Sequence, residues 1–520
     1  MAPSENDPSP RTVAAGGPAE TATPATTASQ GTIARPLNDG RSEDAVNSQR
    51  TPAAADTQTF STAPPSAPPS PAVTSRPDRI WIPDPSLHHI VIVGGGAAGL
   101  ELATKLGDSL GRRRKAQITL VERARTHIWK PHLHEVAAGT MDVGRDAVDY
   151  LAQASDHHFR YRIGEMIGLD RAHREVHLAA SYDAEGHEVT PARSVPYDTL
   201  VMAVGSTSND FGTPGAKEFA ISLDTADEAV RFHQRLVNRF IRAHAQPGPV
   251  RPGQLHVTII GAGATGTELA AELHRTTRQV VAYGLDRIDA EKDLKITLVE
   301  AAERILPAVP PRVAEGATRL LKGLDIDVRT QARVVEVRPD GVRLADGDFI
   351  PSELVVWAAG VKGPDLLKDL DGLEASRSNQ LVVTPTLQTT RDPDVFAIGD
   401  CAFLLNPGET RPVPPRAQAA SQQATHLAKQ MKGRLDGKPL EPFVYRDFGS
   451  LVSLGEYSTV GNLMGFLTGK GLMIEGYFAR LMYRSLYKMH QRALYGSWRV
   501  MLDTMARTLT RRTEPRVKLH

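Results

Sequence analysis

The sequence predicts an α/β protein of two Rossmann-like dinucleotide-binding units, one inserted into the other, ending in an amphipathic helical region. Three observations carry this. A strand–glycine turn–helix–strand–acid pattern opens at His88 and recurs from Leu255. Two further apolar strands, ending at Gly205 and Gly360, each follow one of these patterns. From Gly476 to His520, ten Lys and Arg are opposed only by Asp503 and Glu514.

The chain of 520 residues is too long for one core. Residues 1–80 hold Arg11, Arg35, Arg41, Arg50, Arg76 and Arg79 against eight acids, within Pro, Ala, Ser and Thr. Such a composition has too little apolar surface to offset chain entropy, so this segment is expected to be a disordered tail. Its acids argue against a mitochondrial transit peptide, and no basic-then-apolar signal sequence precedes it. Net charge is +1, so bulk charge points to neither nucleic acid nor membrane. Cys401 is the only cysteine, which excludes an internal disulfide and any dithiol redox pair. No apolar run is long enough to span a bilayer.

The first unit reads "HHIVIVGGGAAGLELATKLG", placing Gly94, Gly96 and Gly99 between strand and helix. Its second strand, "QITLVE", ends in Glu122. Glycines allow a pyrophosphate to approach the helix N-terminus, where free N–H groups favour anions. A carboxylate at the end of the second strand is placed to bind a ribose. The second unit repeats this with Gly261, Gly263 and Gly266 in "LHVTIIGAGATGTELAAEL", and Glu300 ends "LKITLVE". One such turn is weak evidence, whereas two in full context are specific.

"YDTLVMAVGS" and "SELVVWAAGV" return the chain to each unit, the second at Gly360. "DVFAIGDCA" then sets an apolar strand against Gly399 and Asp400, resembling a second flavin fingerprint in which the Asp binds the ribityl chain. This order predicts a flavoprotein with a discontinuous FAD domain, 87–250 and 376–440, and an inserted NADH domain, 251–375. Residues 441–520 form the C-terminal membrane-associating region. Glu300 is expected to repel a 2′-phosphate and favour NADH, with Arg304 one turn on able to soften the preference.

With these residues placed, residues 87 to 505 resemble the type II NADH dehydrogenases, single-subunit NADH:quinone oxidoreductases that pump no protons. The resemblance rests on "WKPHLHEVAAGTMD" (129–142), "AVGSTSNDFGTPGAKEFA" (203–220), "VVWAAGVKG" (355–363) and "RAQAASQQA" (416–424), and the basic end is similar to the bacterial branch. It implies FAD and NADH as cofactors, with Lys130 joining the cofactor-binding set, and often a homodimer. Gln418 and Gln422, four apart on one helix face, are either solvated or, as the resemblance implies, line a quinone site as neutral hydrogen-bonding amides. Glu268, two residues past Gly266, is either a dipole-stabilised helix residue or, by the same resemblance, a catalytic group beside nicotinamide, flavin and quinone. His132 and His134 lack the acidic or thiol partners of a metal site.

Arg480, Arg484, Lys488 and Arg492 recur every fourth residue and form a stripe. Leu481, Met482, Leu486, Met489 and Leu494 can face away from it, while Tyr477, Tyr483, Tyr487, Tyr495 and Trp498 suit an interface. The helix therefore lies on an anionic membrane surface or packs on the flavin domain. The reading that unites these features is an FAD-dependent NADH:quinone oxidoreductase, peripheral on the cytoplasmic side of the inner membrane. A reductase of a soluble acceptor (ferredoxin or rubredoxin) and a membrane-docked NADH sensor are the rivals. Nucleic acid is not an expected partner.

Overall fold

The computed structural model describes residues 84–183, 185–454, 458–464, 471–475, 477–510 and 517–518. The expected disordered tail, 1–80, lies outside the described residues.

The first sheet has strand order Gln388–Thr389, Asp392–Ala397, Thr199–Met202, His88–Val93, Ala116–Glu122, Arg160–Ile163. All neighbours are parallel except the Gln388–Thr389 edge. A parallel sheet covered on both faces needs unbroken apolar strands, and Ile90, Val91 and Ile92 are fully buried. The helix Ala97–Leu106 follows the first strand and packs against a later helix, Ala417–Leu435. The chain thus returns to this unit, where Leu367, Leu370 and Leu381 already join its core.

The second sheet is wholly parallel, in the order Ala220–Ser222, Leu354–Trp357, His256–Ile260, Lys295–Val299, Asp327–Arg329. Its edge strand and the following helix, Ala226–Ala245, precede residue 251, where the sequence reading begins the second unit. Packing explains the shift. Thr225 and Glu228 close a capping box, and the helix buries Phe232, Leu236 and Phe240 against the core of the second sheet.

A third, antiparallel sheet, Gly449–Leu454, Ser458–Met464 and Gly471–Glu475, follows the helix Ala417–Leu435. Its first strand buries Val452 and Leu454 in the second core. The helix Tyr477–Thr510 comes last, broken at Gly496, whose φ of 78° lies outside the helical region. Among the described residues, no helix is long and apolar enough to cross a membrane.

Candidate functional site

The two glycine turns are wired alike. Gly95 N–H donates to Glu122 Oε2 at 2.6 Å, and Ala262 N–H donates to Glu300 Oε2 at 2.8 Å. Gly94 and Gly261 sit at φ 103° and 101°, a region glycine tolerates. A Cβ on Gly99 or Gly266 would strike the carbonyl oxygen of Gly94 or Gly261 at 1.8 and 2.0 Å. Gly96 and Gly263 are the opposite case: a Cβ there meets nothing within 4 Å, and neither helix has a side-chain cap. Uncapped N–H groups facing open space fit the pyrophosphates of two dinucleotides. Arg304 is tied elsewhere, donating to the carbonyls of Leu306, Pro307 and Val309 at 3.0 to 3.1 Å.

The flavin fingerprint is also assembled. Gly399 has φ 73° and packs on Ala98 of the first helix, which sets Asp400 beside the first glycine turn. Ser206 Oγ donates to Asp400 Oδ2 at 2.8 Å, and Lys130 Nζ donates to Ser206 O at 2.9 Å and Asp224 Oδ1 at 3.1 Å. Burial raises the Asp400 carboxyl, while Ser206 and the Lys130 cation oppose that. Acid, cation and glycine turn together fit FAD. Gly360 follows the strand Leu354–Trp357 of the second sheet with φ 66°, under the Phe211 ring. Cys401 is a core residue, its thiol pushed up to about 12 by burial.

Glu268 lies where three parts of the chain meet. Its Oε1 accepts the Ser453 N–H at 2.9 Å, and its Oε2 is 3.6 Å from His134 Nδ1. Burial lifts its pKa to about 8, with Glu135 and Glu272 adding like charge and the Ser453 amide and the nearby Tyr483 phenol opposing. The imidazole of His134 is pushed the other way by burial and stays neutral. A carboxyl in this setting holds its proton near neutral pH and can donate it.

The strand Gly449–Leu454 links Glu268 to the glutamine helix. Gln418 Nε2 donates to Gly449 O and Asp447 Oδ1, both at 3.1 Å, and its Oε1 accepts Phe448 N–H at 3.2 Å. Gln422 clamps Arg446, donating to its carbonyl at 2.8 Å and accepting its N–H at 3.1 Å. Both amides are therefore engaged by segment 446–449, which they hold in place. The next glutamine, Gln423, is buried and accepts the Gly399 N–H at 2.6 Å.

The C-terminal helix divides at Gly496. Before it, Tyr487 stands edge-on to the His132 ring at 4.5 Å, and His490 stacks on Trp129 at 5.5 Å. His490 Nε2 lies 3.1 Å from His127 Nε2, and Leu494 is buried in the first core. This face packs on the flavin unit. After Gly496, Trp498, Met501, Leu502, Met505 and Leu509 form an exposed stripe, with Trp498 at 67% and Leu509 at 79% exposure. Of the expected stripe, Lys488 meets Asp503 at 3.5 Å, and two later cations are also paired, Arg499 with Asp156 at 2.8 Å and Arg507 with Asp146 and Asp503. Arg492 is exposed, and the side chains of Arg480 and Arg484 lie outside the described residues. Lys518 binds Asp142 at 2.7 Å beside the buried Val517.

Sequence reasoning missed His134 as the neighbour of Glu268, the partners Ser453 and Tyr483, and buried Glu101. The last had a signal: Glu101 holds the same place after Gly99 that Glu268 holds after Gly266. Among the described residues, no group of His, Cys, Asp or Glu could hold a metal ion.

The pyridine nucleotide-disulphide oxidoreductase family pattern matches residues 88–424. A Haemophilus influenzae protein named type II NADH:quinone oxidoreductase is 42% identical over 84% of this chain and 100% of its own length. A Mycobacterium tuberculosis protein of the same name is 30% identical, over 77% of this chain and 83% of its own. Among solved structures, Plasmodium falciparum NDH2 in complex with NADH superposes with TM-score 0.68, covering 83% of this chain and 100% of that one. The sulfide:quinone oxidoreductase of Aquifex aeolicus gives 0.59, covering 79% and 92%. Both structures are 18% identical and speak to the fold alone.

Proposed function

We infer the activity from membership: the chain belongs to the pyridine nucleotide-disulphide oxidoreductases and, within them, to the type II NADH:quinone oxidoreductases. It oxidises NADH and reduces a quinone with FAD as cofactor. The disulphide chemistry of the wider family has no place here, because Cys401 is the only cysteine. Bound FAD supplies a two-electron carrier between NADH and quinone.

The individual roles are proposals. Gly94, Gly96, Gly99, Glu122, Lys130, Gly399 and Asp400 hold FAD; Gly261, Gly263, Gly266, Glu300 and Gly360 hold NADH. Glu268 gives a proton to the quinone oxygen, a role supported by its pKa of about 8 and its place at the meeting of three chain segments. Gln418 and Gln422 shape the quinone site by fixing 446–449.

The protein docks peripherally, on the cytoplasmic side of the inner membrane, where NADH is present. The exposed stripe from Trp498 to Leu509 supports this more directly than the paired cations do. Cations without a carboxylate partner each add about 1 kcal/mol near anionic lipid. The resemblance also implies a homodimer, which sedimentation of the purified protein checks.

The decisive experiment is stopped-flow kinetics on the purified protein with NADH and a short-chain quinone. Quinone should reoxidise the reduced protein, and replacing Gln418 and Gln422 with Ala should slow that step about tenfold while sparing reduction by NADH. Reoxidation by a ferredoxin but not by quinone would favour the soluble-acceptor reading.

A further inference from the structure

Quinone reduction consumes one proton beyond those NADH carries: NADH, H⁺ and quinone give NAD⁺ and quinol. If Glu268 gives a proton to the quinone, it must recover one each turnover, yet its side chain is only 7% exposed. The route lies in the short helix Leu133–Ala138. His134 Nδ1 stands 3.6 Å from Glu268 Oε2, and His134 Nε2 stands 4.0 Å from Glu135 Oε1. The Glu135 side chain is 30% exposed and meets His132 Nδ1 at 2.8 Å. Buried carboxyl, buried imidazole and solvent-touching carboxylate therefore lie in line.

We propose that His134 and Glu135 form a proton relay from solvent to Glu268, His134 passing the proton and Glu135 collecting it. The proposal rests on the reading of Glu268 as the proton donor to quinone. The gaps of 3.6 and 4.0 Å exceed a direct hydrogen bond, and a small rotation of the imidazole or one bridging water closes each. Catalytic hydrogen bonds commonly tighten only when substrate is bound. The imidazole suits transfer because it is neutral at rest, held so by burial, with the Pro131 carbonyl bonded to its ring. The other groups facing Glu268 are poorer proton carriers: Ser453 offers an amide, Tyr483 is a phenol with a buried oxygen whose pKa burial raises further, and Glu272 is held by Arg275 at 2.5 Å. His134 and Glu135 act through Glu268 and are positioning residues.

The test uses the FAD-loaded protein. Replacing His134 with Ala should slow NADH:quinone turnover about tenfold or more. It should also enlarge the solvent isotope effect in D₂O, and added imidazole should restore much of the rate. Ferricyanide, which takes electrons without protons, is reduced as before. Glu135→Gln, a change at a partly exposed site that preserves folding, should slow quinone turnover with the same enlarged isotope effect. In infrared titration, the protonated-carboxyl band that Glu268→Gln removes should reach its midpoint near 8 in the wild type. That midpoint should be lower in Glu135→Gln, because a like charge is gone. Equal losses with quinone and ferricyanide, no imidazole rescue, or unchanged isotope effects in both relay variants would overturn the relay. Undiminished quinone turnover in Glu268→Gln would instead overturn the reading of Glu268 itself.

Discussion

Two carboxylates occupy the same place in the two copies of the repeat, and they live in different company. Glu101 follows Gly99 by two residues, and Glu268 follows Gly266 by two. Both are buried, and burial raises the pKa of both. One helical turn on, the first unit has Lys105, 3.5 Å from Glu101, and the second has Glu272. Thr425 and Ser421 hydroxyls also hold Glu101, seating it between the two packed helices of the flavin unit. Glu268 instead meets an amide, a phenol, an imidazole and two like charges. The repeat places a carboxyl, and the neighbours decide whether it is tied into helix packing by a lysine and a hydroxyl or stands as an acid that keeps its proton.

The largest effect should come from what only the first unit possesses. Asp400, with Ser206 and Lys130 around it, has no counterpart in the second unit. Asp400→Ala should therefore empty the flavin site, and protein purified from that variant should lose most of its yellow absorbance. A variant as yellow as the wild type would show that the two units bind their nucleotides by the shared turn alone.

Exchanging each carboxyl for an amide separates the two roles. Glu268→Gln should slow quinone reduction about a hundredfold, in the range general-acid groups contribute, while Glu101→Gln should leave it within about twofold. Stability should respond as well. Glu268 has a folded pKa of about 8 against an ordinary 4.5. Between these values the folded state holds a proton that the unfolded chain has lost. Its favourable share is thus fully present below 4.5 and vanishes as pH rises through 8. Glu268→Gln carries no charge at any pH, so its Tm should rise relative to the wild type between pH 5 and pH 9. A constant Tm difference would mean that the carboxyl is already ionised at pH 5.

Much of this architecture was legible in the sequence, because both glycine turns, their answering acids and Asp400 depend on local geometry. Glycine at 94 or 261 and an acid ending each second strand are local requirements. What escaped notice comes from long-range packing. Ala220–Ser222 joins the second sheet because the helix after it needs that sheet's core, and no turn motif announces this. His134 reaches Glu268 across 134 positions of sequence through a six-residue helix. Ser453 reaches it from a strand with no fingerprint. In the last helix, the four-residue spacing of the cations shows the amphipathic character but not the break at Gly496, which gives the protein one face and leaves another exposed.

Where the units agree, a smaller effect is expected. Glu122 and Glu300 make the same bond to their turns, so each should select a nucleotide by its ribose end. With Arg304 occupied by three carbonyls, that cation is not free to offset the repulsion of a 2′-phosphate by Glu300. NADH should be the better donor by kcat/KM, and Glu300→Gln should narrow that preference by about tenfold. Equal use of NADPH by the wild type would point to another cation at the site.

The smallest change makes the second unit resemble the first at a single position. Glu272→Lys puts a cation one turn beyond Glu268, as Lys105 stands one turn beyond Glu101. It removes a like charge that raises the Glu268 pKa and supplies an opposite one, while costing the pair with Arg275. The Arg275 guanidinium is partly exposed and can turn toward water, so the fold should tolerate the loss. Through a protein interior of effective dielectric near 20, a charge reversal one turn (about 6 Å) away shifts a pKa by a few units. The alkaline limb of quinone turnover, set by loss of the Glu268 proton, should move down in pH by that amount. Reduction of the protein by NADH should keep its pH profile, since that step takes no proton from Glu268. An unmoved alkaline limb in Glu272→Lys would show that another group sets it, and the contrast between the two carboxyls would then rest on His134 and Glu135 alone.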